Sequence, residues 1–215
     1  MKNRTAILIA SLDPGHVPYL EKLYQSAKKN DIPVICREVQ GILKLFLTMQ
    51  KPMRILEVGT AIGFSALLMS EYAPSGCEII TIERDEERIL VAKENIRKYG
   101  KSERITLLPG DAADILASLD GFFDLIFMDA AKGQYAYFLP RTIELLNCGG
   151  ILITDNVLQN GDIIESRYAI PRRDRTIHGR MRDYLYEIKH RDDLCTEILD
   201  IGDGIAVSYK ESENE

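Results

Sequence analysis

Val17, Leu20, Leu23, Tyr24 and Ala27 recur at helical spacing and give the first part of the chain one apolar face; Val39, Ile42, Leu43, Phe46 and Leu47 do the same in the next part. They predict two helices ahead of any strand. From residue 54 the pattern changes to short apolar runs separated by helical stretches. The runs cover residues 54–58, 78–82, 105–108, 123–128 and 151–154, and the helical stretches cover residues 64–72, 85–99, 111–119 and 135–146. In the last of these, Tyr135, Phe138, Leu139, Thr142, Leu145 and Leu146 keep the 3.6-residue period. Strands alternating with helices at this spacing are joined by crossovers, which implies a parallel sheet covered on both faces. After Asp155 a polar segment leads to one more helix, with Ile177, Met181, Tyr184, Leu185 and Ile188 on one face. Two closing strands, residues 195–201 and 204–209, flank Gly202-Asp203, a turn short enough for a hairpin. The expected architecture is a doubly wound α/β structure. Its seven-stranded, mostly parallel sheet ends in an antiparallel hairpin, and two extra helices occupy residues 1–50.

Composition narrows the classes. At 215 residues with 46% apolar content, one domain over residues 1–215 can bury a core without disulfide or metal staples. Cys36, Cys77, Cys148 and Cys195 form no C-x-x-C pair and read as reduced, mostly buried thiols. Lys2 and Arg4 precede an apolar run at residues 5–12, but the run is short for a secretion signal and Asp13-Pro14 follows it. No run approaches the ~20 apolar residues that span a bilayer. A cytoplasmic protein with no membrane partner is expected. A net charge of −6 argues against generic coating of nucleic acid, which needs a basic excess.

In an open parallel sheet, ligands sit beyond the carboxyl ends of the strands, so the residues there are the candidates. The first run ends in Glu57-Val58-Gly59 and continues through Gly63 to Ser65, a G-x-x-x-G spacing that serves either as a ligand loop or as a plain strand-to-helix turn. Glu83 ends the second run, where it can accept both hydroxyls of a ribose or act as a charge at a helix N-terminus. Asp111 either caps a helix or meets an adenine amine. The fourth and fifth runs end in Asp129 and in Asp155-Asn156. Two carboxylates and an amide oxygen, with no His or Cys among them, suit Mg²⁺. Lys132 follows Asp129 by three residues, and beside a divalent cation its charged form is disfavoured, so it can serve as a base. The same residues would otherwise be polar strand ends that cap helices and pair with the lysine. His16, His178 and His190 fit no ligand spacing and are expected at the surface or an interface.

Five segments, ILEVGTAIGFS at residues 55–65, TIER at 81–84, FMDAAKGQY at 127–135, TDNVL at 154–158 and GDGIAV at 202–207, together resemble the metal-dependent O-methyltransferases. This is the group of the catechol and caffeoyl-CoA enzymes. Within it, DAAKGQY, TDNVL and the arginine-rich segment that follows are similar to bacterial tRNA 5-hydroxyuridine methyltransferases. The resemblance implies a Rossmann-like fold, S-adenosylmethionine as cofactor, Mg²⁺ or another divalent cation, and a homodimer. It also implies residue roles. Gly59 and Ser65 would line the methionine end of the cofactor, with Glu57 nearby and the Ile35 backbone closing the pocket. Glu83 would hold the ribose and Asp111 would lie beside the adenine. Asp129, Asp155 and Asn156 would bind the metal, Asp129 also facing the cofactor, and Lys132 would be the general base. Residues 159–191 would form the substrate side.

A cation chelated by two adjacent oxygens selects acceptors with vicinal oxygens, a class that includes both catechols and 5-hydroxyuridine. The partner is therefore tRNA or a small catechol-like molecule; a noncatalytic cofactor- or RNA-binding module is the reading from another class. Charge distribution bears on RNA. Residues 163–191 hold eight basic and four acidic side chains, a net +4, which leaves −10 on the remainder. Arg172, Arg173, Arg175 and Arg182 are the candidate phosphate contacts, with Arg175, Arg182 and Lys189 recurring every seven residues opposite the apolar stripe. A solvated helix face would show the same pattern.

Overall fold

The apolar runs become strands, and those at the centre of the sheet are buried on both faces. In the computed structural model, which describes residues 2–212, four of the five residues of β1 (Arg54–Val58) are buried, as are five of the six in β4 (Phe123–Met128). The other strands are β2 (Glu78–Glu83), β3 (Ile105–Pro109), β5 (Leu146–Thr154), β6 (Leu194–Leu199) and β7 (Ile205–Lys210). They form one seven-stranded sheet of order β3-β2-β1-β4-β5-β7-β6. β1 to β5 are parallel, and β7 lies antiparallel between β5 and β6. The expected doubly wound sheet with a closing hairpin is what the chain forms. Strand order reverses between β1 and β4, so the ligand crevice of such a sheet opens above these two.

The chain divides into two compact units at Val34 and Ile35. The first contains α1 (Lys2–Ser11) and α2 (Pro18–Lys29). α2 has proline at its first position and buries Leu20, Leu23, Tyr24 and Ala27 along one face, matching the sequence period. α1 is a helix that the sequence reading missed. Its apolar residues are contiguous, and a short unbroken apolar run has no period by which helix and strand can be told apart. Ile7, Leu8, Ile9 and Leu12 are all exposed.

The second unit begins before α3 (Arg37–Gln50), so α3 groups with the sheet rather than with the helices ahead of it. Its helices are α3, α4 (Phe64–Tyr72), α5 (Glu86–Lys98), α6 (Ala112–Ser118), α7 (Tyr135–Leu145) and α8 (Arg175–His190). Asp85 caps α5 through Arg88 N, and Asp111 caps α6 through Ala113 N. The core under α7 and α8 includes Phe138, Leu139, Met181, Tyr184 and Ile188, packed on Ile126, Met128 and Leu152 of the sheet. Rings of Tyr135 and Tyr184 meet at 5.6 Å, and the Tyr184 hydroxyl lies 2.5 Å from Thr154 Oγ1, which pins α8 to the end of β5.

Three sequence expectations are corrected. The buried face of α8 runs through His178, Met181, Tyr184 and Ile188, whereas Ile177 is 39% exposed. Spacings of three, three and four residues keep His178 on the inner stripe, with Ile177 at its edge against Gly133. His178 is thus interior, not a surface residue. The cysteines differ too: Cys77 is buried, Cys36 is half-buried, and Cys148 and Cys195 are exposed. Among the described residues no helix is long and apolar enough to cross a membrane.

At the tip of the β6–β7 hairpin, Gly204 has φ +80°, and a Cβ there would lie 2.1 Å from Leu158 Cγ. Gly100, at φ +67°, has nothing within 4 Å of the same position. Gly100→Ala should therefore cost only the backbone strain, about 1 kcal/mol. Gly204→Ala should cost roughly 1–3 kcal/mol more through overpacking, measured by urea unfolding.

Candidate active site

The hydrogen-bond ladder of the sheet continues one residue past the strands. Gly110 N donates to Glu83 O at 2.8 Å, Gly59 N to Ile82 O at 3.0 Å, Asp129 N to Val58 O at 2.9 Å and Asp155 N to Met128 O at 3.0 Å. These bonds bring the first loop residues after β1, β3, β4 and β5 onto one edge. The loops after β1 and β4 run so close that a Cβ on Gly59 would lie 2.0 Å from Asp129 O. Glycine, at φ +108°, is required there for contact as well as for conformation.

Around β1 and β2 the arrangement suits an adenosyl cofactor. Glu57 is fully buried, accepts a short hydrogen bond from Thr81 Oγ1, and leaves Oε1 with no hydrogen-bond partner among the described residues. Burial raises its pKa to about 7, and the Ser65 and Thr81 hydroxyls offset part of that rise. An orphaned, costly carboxylate at the base of a crevice fits a ligand that brings donors or positive charge to it. Glu83 accepts from Ala61 N at 2.9 Å on one oxygen and from Arg84 N and Asp85 N on the other, which fixes its carboxylate at the strand end where a ribose would lie. Asp111 is exposed, holds Ala113 N through Oδ1 and has Arg84 at 3.5 Å from Oδ2. It is a helix cap in this structure, on the rim beside the expected adenine position. Ile35 is buried, and its carbonyl accepts from Gln40 Nε2 at 2.7 Å.

The second half of the site lies on β4 and β5. Asn156 Nδ2 donates to Asp129 Oδ1 at 2.9 Å, and Asn156 N donates to Asp155 Oδ1 at 2.7 Å, so Asn156 bridges the two carboxylates. Asn156 has φ +60°, a conformation that asparagine tolerates better than most residues, so the backbone and the chemistry favour the same residue type. Burial raises the pKa of Asp129, and Asn156 and Lys132 act against it. Asp155 is 3% exposed; its pKa is raised to about 7, first by burial and then by the charges of Asp129 and Asp203. Among the described residues no three His, Cys, Asp or Glu side chains gather as metal ligands. The donor set is two carboxylates and one amide. Two mutually repelling carboxylates with hard oxygens fit a divalent cation that keeps positions open for water or substrate. Lys132 begins a 3-10 turn (Lys132–Gln134), and its Nζ donates to Asp203 Oδ2 at 2.7 Å. The Tyr135 hydroxyl lies 3.2 Å from Ala130 O and 3.1 Å from Asp155 O, tying the two loops together from below.

The arginine stripe does not stand clear of the protein as the sequence reading had it. Arg175 donates to Ile170 O and Tyr168 O, Arg182 to Ile163 O, and Lys189 to Thr196 O. These side chains hold the preceding segment and β6 against α8. Arg172 and Arg173 are exposed, with Arg173 near Asp174. Arg180, not singled out by spacing, donates to Gly133 O at 3.1 Å beside the Lys132 turn. Sequence reasoning also missed Tyr135 and Asp203. Both lie inside motifs it had quoted, FMDAAKGQY and GDGIAV, but their partners are distant in sequence. His178 is 2% exposed, with no hydrogen-bond partner on either ring nitrogen among the described residues.

Comparison with known proteins bears on the family and the fold. A catechol O-methyltransferase of Niastella koreensis is 32% identical over 133 residues, an alignment spanning 60% of each chain. The present chain thus matches less than two-thirds of that enzyme's length. A candidate caffeoyl-CoA O-methyltransferase of Staphylococcus aureus has a solved structure that superposes with a TM-score of 0.88 at 29% identity, over 98% of this chain and 100% of that one. An SAH-bound methyltransferase of Podospora anserina shares the fold, with a TM-score of 0.87 at 24% identity over 98% and 95% of the chains. The sequence profile described as O-methyltransferase matches residues 10–211, and the chain belongs to that family.

Proposed function

We propose that this protein transfers the methyl group of S-adenosylmethionine to a hydroxyl that neighbours a second oxygen, with 5-hydroxyuridine in tRNA as the acceptor. The observation that carries the reading is the convergence of Asp129, Asp155 and Asn156 beside the Lys132–Asp203 pair. S-adenosylmethionine supplies the methyl as a sulfonium, an electrophile that needs a deprotonated oxygen in line with it. A divalent cation at Asp129, Asp155 and Asn156 would supply positive charge beside the two acceptor oxygens and lower the pKa of the hydroxyl. Lys132 takes the proton. Glu57, Gly59 and Ser65 receive the methionine end, the orphaned Glu57 oxygen facing its polar groups, and Glu83 receives the ribose hydroxyls. The Ile35 backbone closes this end of the pocket, and Asp111 lies at the adenine edge.

tRNA is favoured over a free catechol by the basic character of residues 163–191, with Arg172 and Arg173 exposed, and by Arg180, which reaches the Lys132 turn from exposed α8 surface. The likeness to a catechol enzyme supports the second reading, a small catechol-like acceptor. Nucleoside mass spectrometry of tRNA bearing 5-hydroxyuridine, incubated with the protein, cofactor and Mg²⁺, should show 5-methoxyuridine. Turnover of a catechol with no tRNA product would favour the small molecule. Chelation of the cation, or Asp155→Ala, should lower turnover at least about a hundredfold on either acceptor.

A second prediction concerns Glu57. Its ordinary pKa is 4.5 and its folded value is about 7. Below pH 4.5 both folded and unfolded chains carry the proton; between 4.5 and 7 only the folded chain keeps it, so stability falls as pH rises through this window and levels off above it. Asp155 acts in the same direction. In the ligand-free protein the Glu57 contribution is on the order of 3 kcal/mol. Glu57→Gln should flatten the unfolding free energy between pH 4.5 and 7 and weaken S-adenosylmethionine binding by calorimetry.

A further inference from the structure

The Glu57 carboxylate does not stand alone in its buried position. Thr60 and Thr81 lie beside it, 1% and 0% exposed, and neither carries a charge or faces solvent. We infer that these two threonines are positioning residues for the cofactor: their hydroxyls form a one-way relay that holds one oxygen of Glu57 and leaves the other for the ammonium group of the methionine end. The inference rests on the reading of Glu57 as the residue that receives that end. It adds what keeps Glu57 charged and directed.

The sheet register places the relay. Glu57 on β1 is paired with Thr81 on β2, so the two side chains leave the sheet on the same face. Thr81 Oγ1 donates to Glu57 Oε2. Thr60 stands in the loop after β1, where its amide donates to Ile82 O at 3.1 Å and its carbonyl accepts from Gly63 N at 2.8 Å. Anchored on both sides, Thr60 brings Oγ1 to 2.5 Å from Thr81 Oγ1.

Counting hydrogens gives the relay its direction. Each threonine hydroxyl has one hydrogen to donate and can also accept. An ionised carboxylate can only accept, so the hydrogen of Thr81 goes to Glu57. The contact between the two threonines therefore runs from Thr60, whose hydrogen points at Thr81 Oγ1. Both O–H dipoles are aligned toward the carboxylate, and each polarises the other. The Thr81 bond favours the charged form of Glu57, whereas burial and the carboxylates of Asp129 and Glu83 oppose it. With both hydroxyl hydrogens in use and Oε2 held, the atom that meets the ligand is Oε1, which has no partner among the described residues. A valine-sized side chain in place of Thr81 would fill the same space but take away the donor, and a carboxyl group that then keeps its proton forms no ion pair with an ammonium.

The test is calorimetric binding to the full-length protein of two ligands that differ at one end. S-adenosylhomocysteine carries the amino-acid group; 5′-methylthioadenosine keeps the adenosine and the sulfur and lacks that group. Thr81→Val should weaken S-adenosylhomocysteine binding by about ten- to a hundredfold and change the affinity for 5′-methylthioadenosine less than about threefold. Thr81→Ser, which restores a hydroxyl, should recover most of the loss. Thr60→Val, which removes the far donor alone, should cost about two- to tenfold on the first ligand and spare the second, and it serves as the test if Thr81→Val does not fold. In the Glu57→Gln background Thr81→Val should add no further loss, because the two side chains act as one unit. Equal weakening of both ligands would overturn the inference, as would unchanged S-adenosylhomocysteine binding in the threonine variants while Glu57→Gln loses it; the Glu57 reading would stand in either case. Unchanged S-adenosylhomocysteine binding by Glu57→Gln would remove the Glu57 assignment and this inference together. No methyl acceptor takes part, so none of these outcomes bears on the choice between tRNA and a catechol.

Discussion

The site depends on one constraint, the extension of the parallel ladder by one residue beyond the strands. Amides of Gly110, Gly59, Asp129 and Asp155 each bond the carbonyl of a neighbouring strand, so four loops leave the sheet in fixed register. A shift of one residue in any strand would turn its side chains to the opposite face and move the carboxylate that follows it. The apolar filling of the strands therefore does more than stabilise the fold. It fixes the positions of charged groups that have no other rigid support, as catalytic groups in α/β sheets generally require.

Those groups repel one another. Asp129, Asp155 and Asp203 lie close enough that each charge opposes the next, and burial adds to the cost. Lys132 supplies positive charge to all three. The surrounding structure holds the arrangement in place through Asn156, Tyr135 and the hairpin tip, which attach the loops to each other rather than to solvent. Such stored repulsion is common where a site waits for a cation, because binding then relieves an unfavourable interaction already present in the fold. The buried, half-partnered Glu57 follows the same logic on the cofactor side.

Basic residues illustrate why charge counting overstates binding. Apart from the family resemblance, the +4 segment was the sign of a polyanionic partner in the sequence. In the fold, Arg175, Arg182 and Lys189 each donate to backbone carbonyls of the chain itself. Guanidinium groups satisfy orphaned carbonyls well, since several donors lie in one plane. What remains on exposed surface includes Arg167, Arg172, Arg173 and Arg180, the last of them at the Lys132 turn.

Much of this was legible in the chain. Strand and helix periods gave the sheet, because burial on two faces or one leaves a repeating mark, and strand ends then pointed to Gly59, Glu83, Asp129, Asp155 and Asn156, since in a parallel sheet those ends share one edge. Ends were less well defined: β5 begins at Leu146, eight residues before Thr154, because Asn147, Gly149 and Gly150 interrupt the apolar signal ahead of Ile151. α1 left no helical period, its apolar run being unbroken, with Ile7, Leu8 and Ile9 exposed. The partners of Lys132, the interior place of His178 and the carbonyls that occupy the arginines depend on contacts across tens of residues. Asp203 lies 71 residues from Lys132, and no local pattern links them. Local sequence determines the elements and the residue types at their ends because periodicity acts over a few residues; pairing of one charge with another is decided only when the sheet order and the hairpin bring distant loops to the same edge.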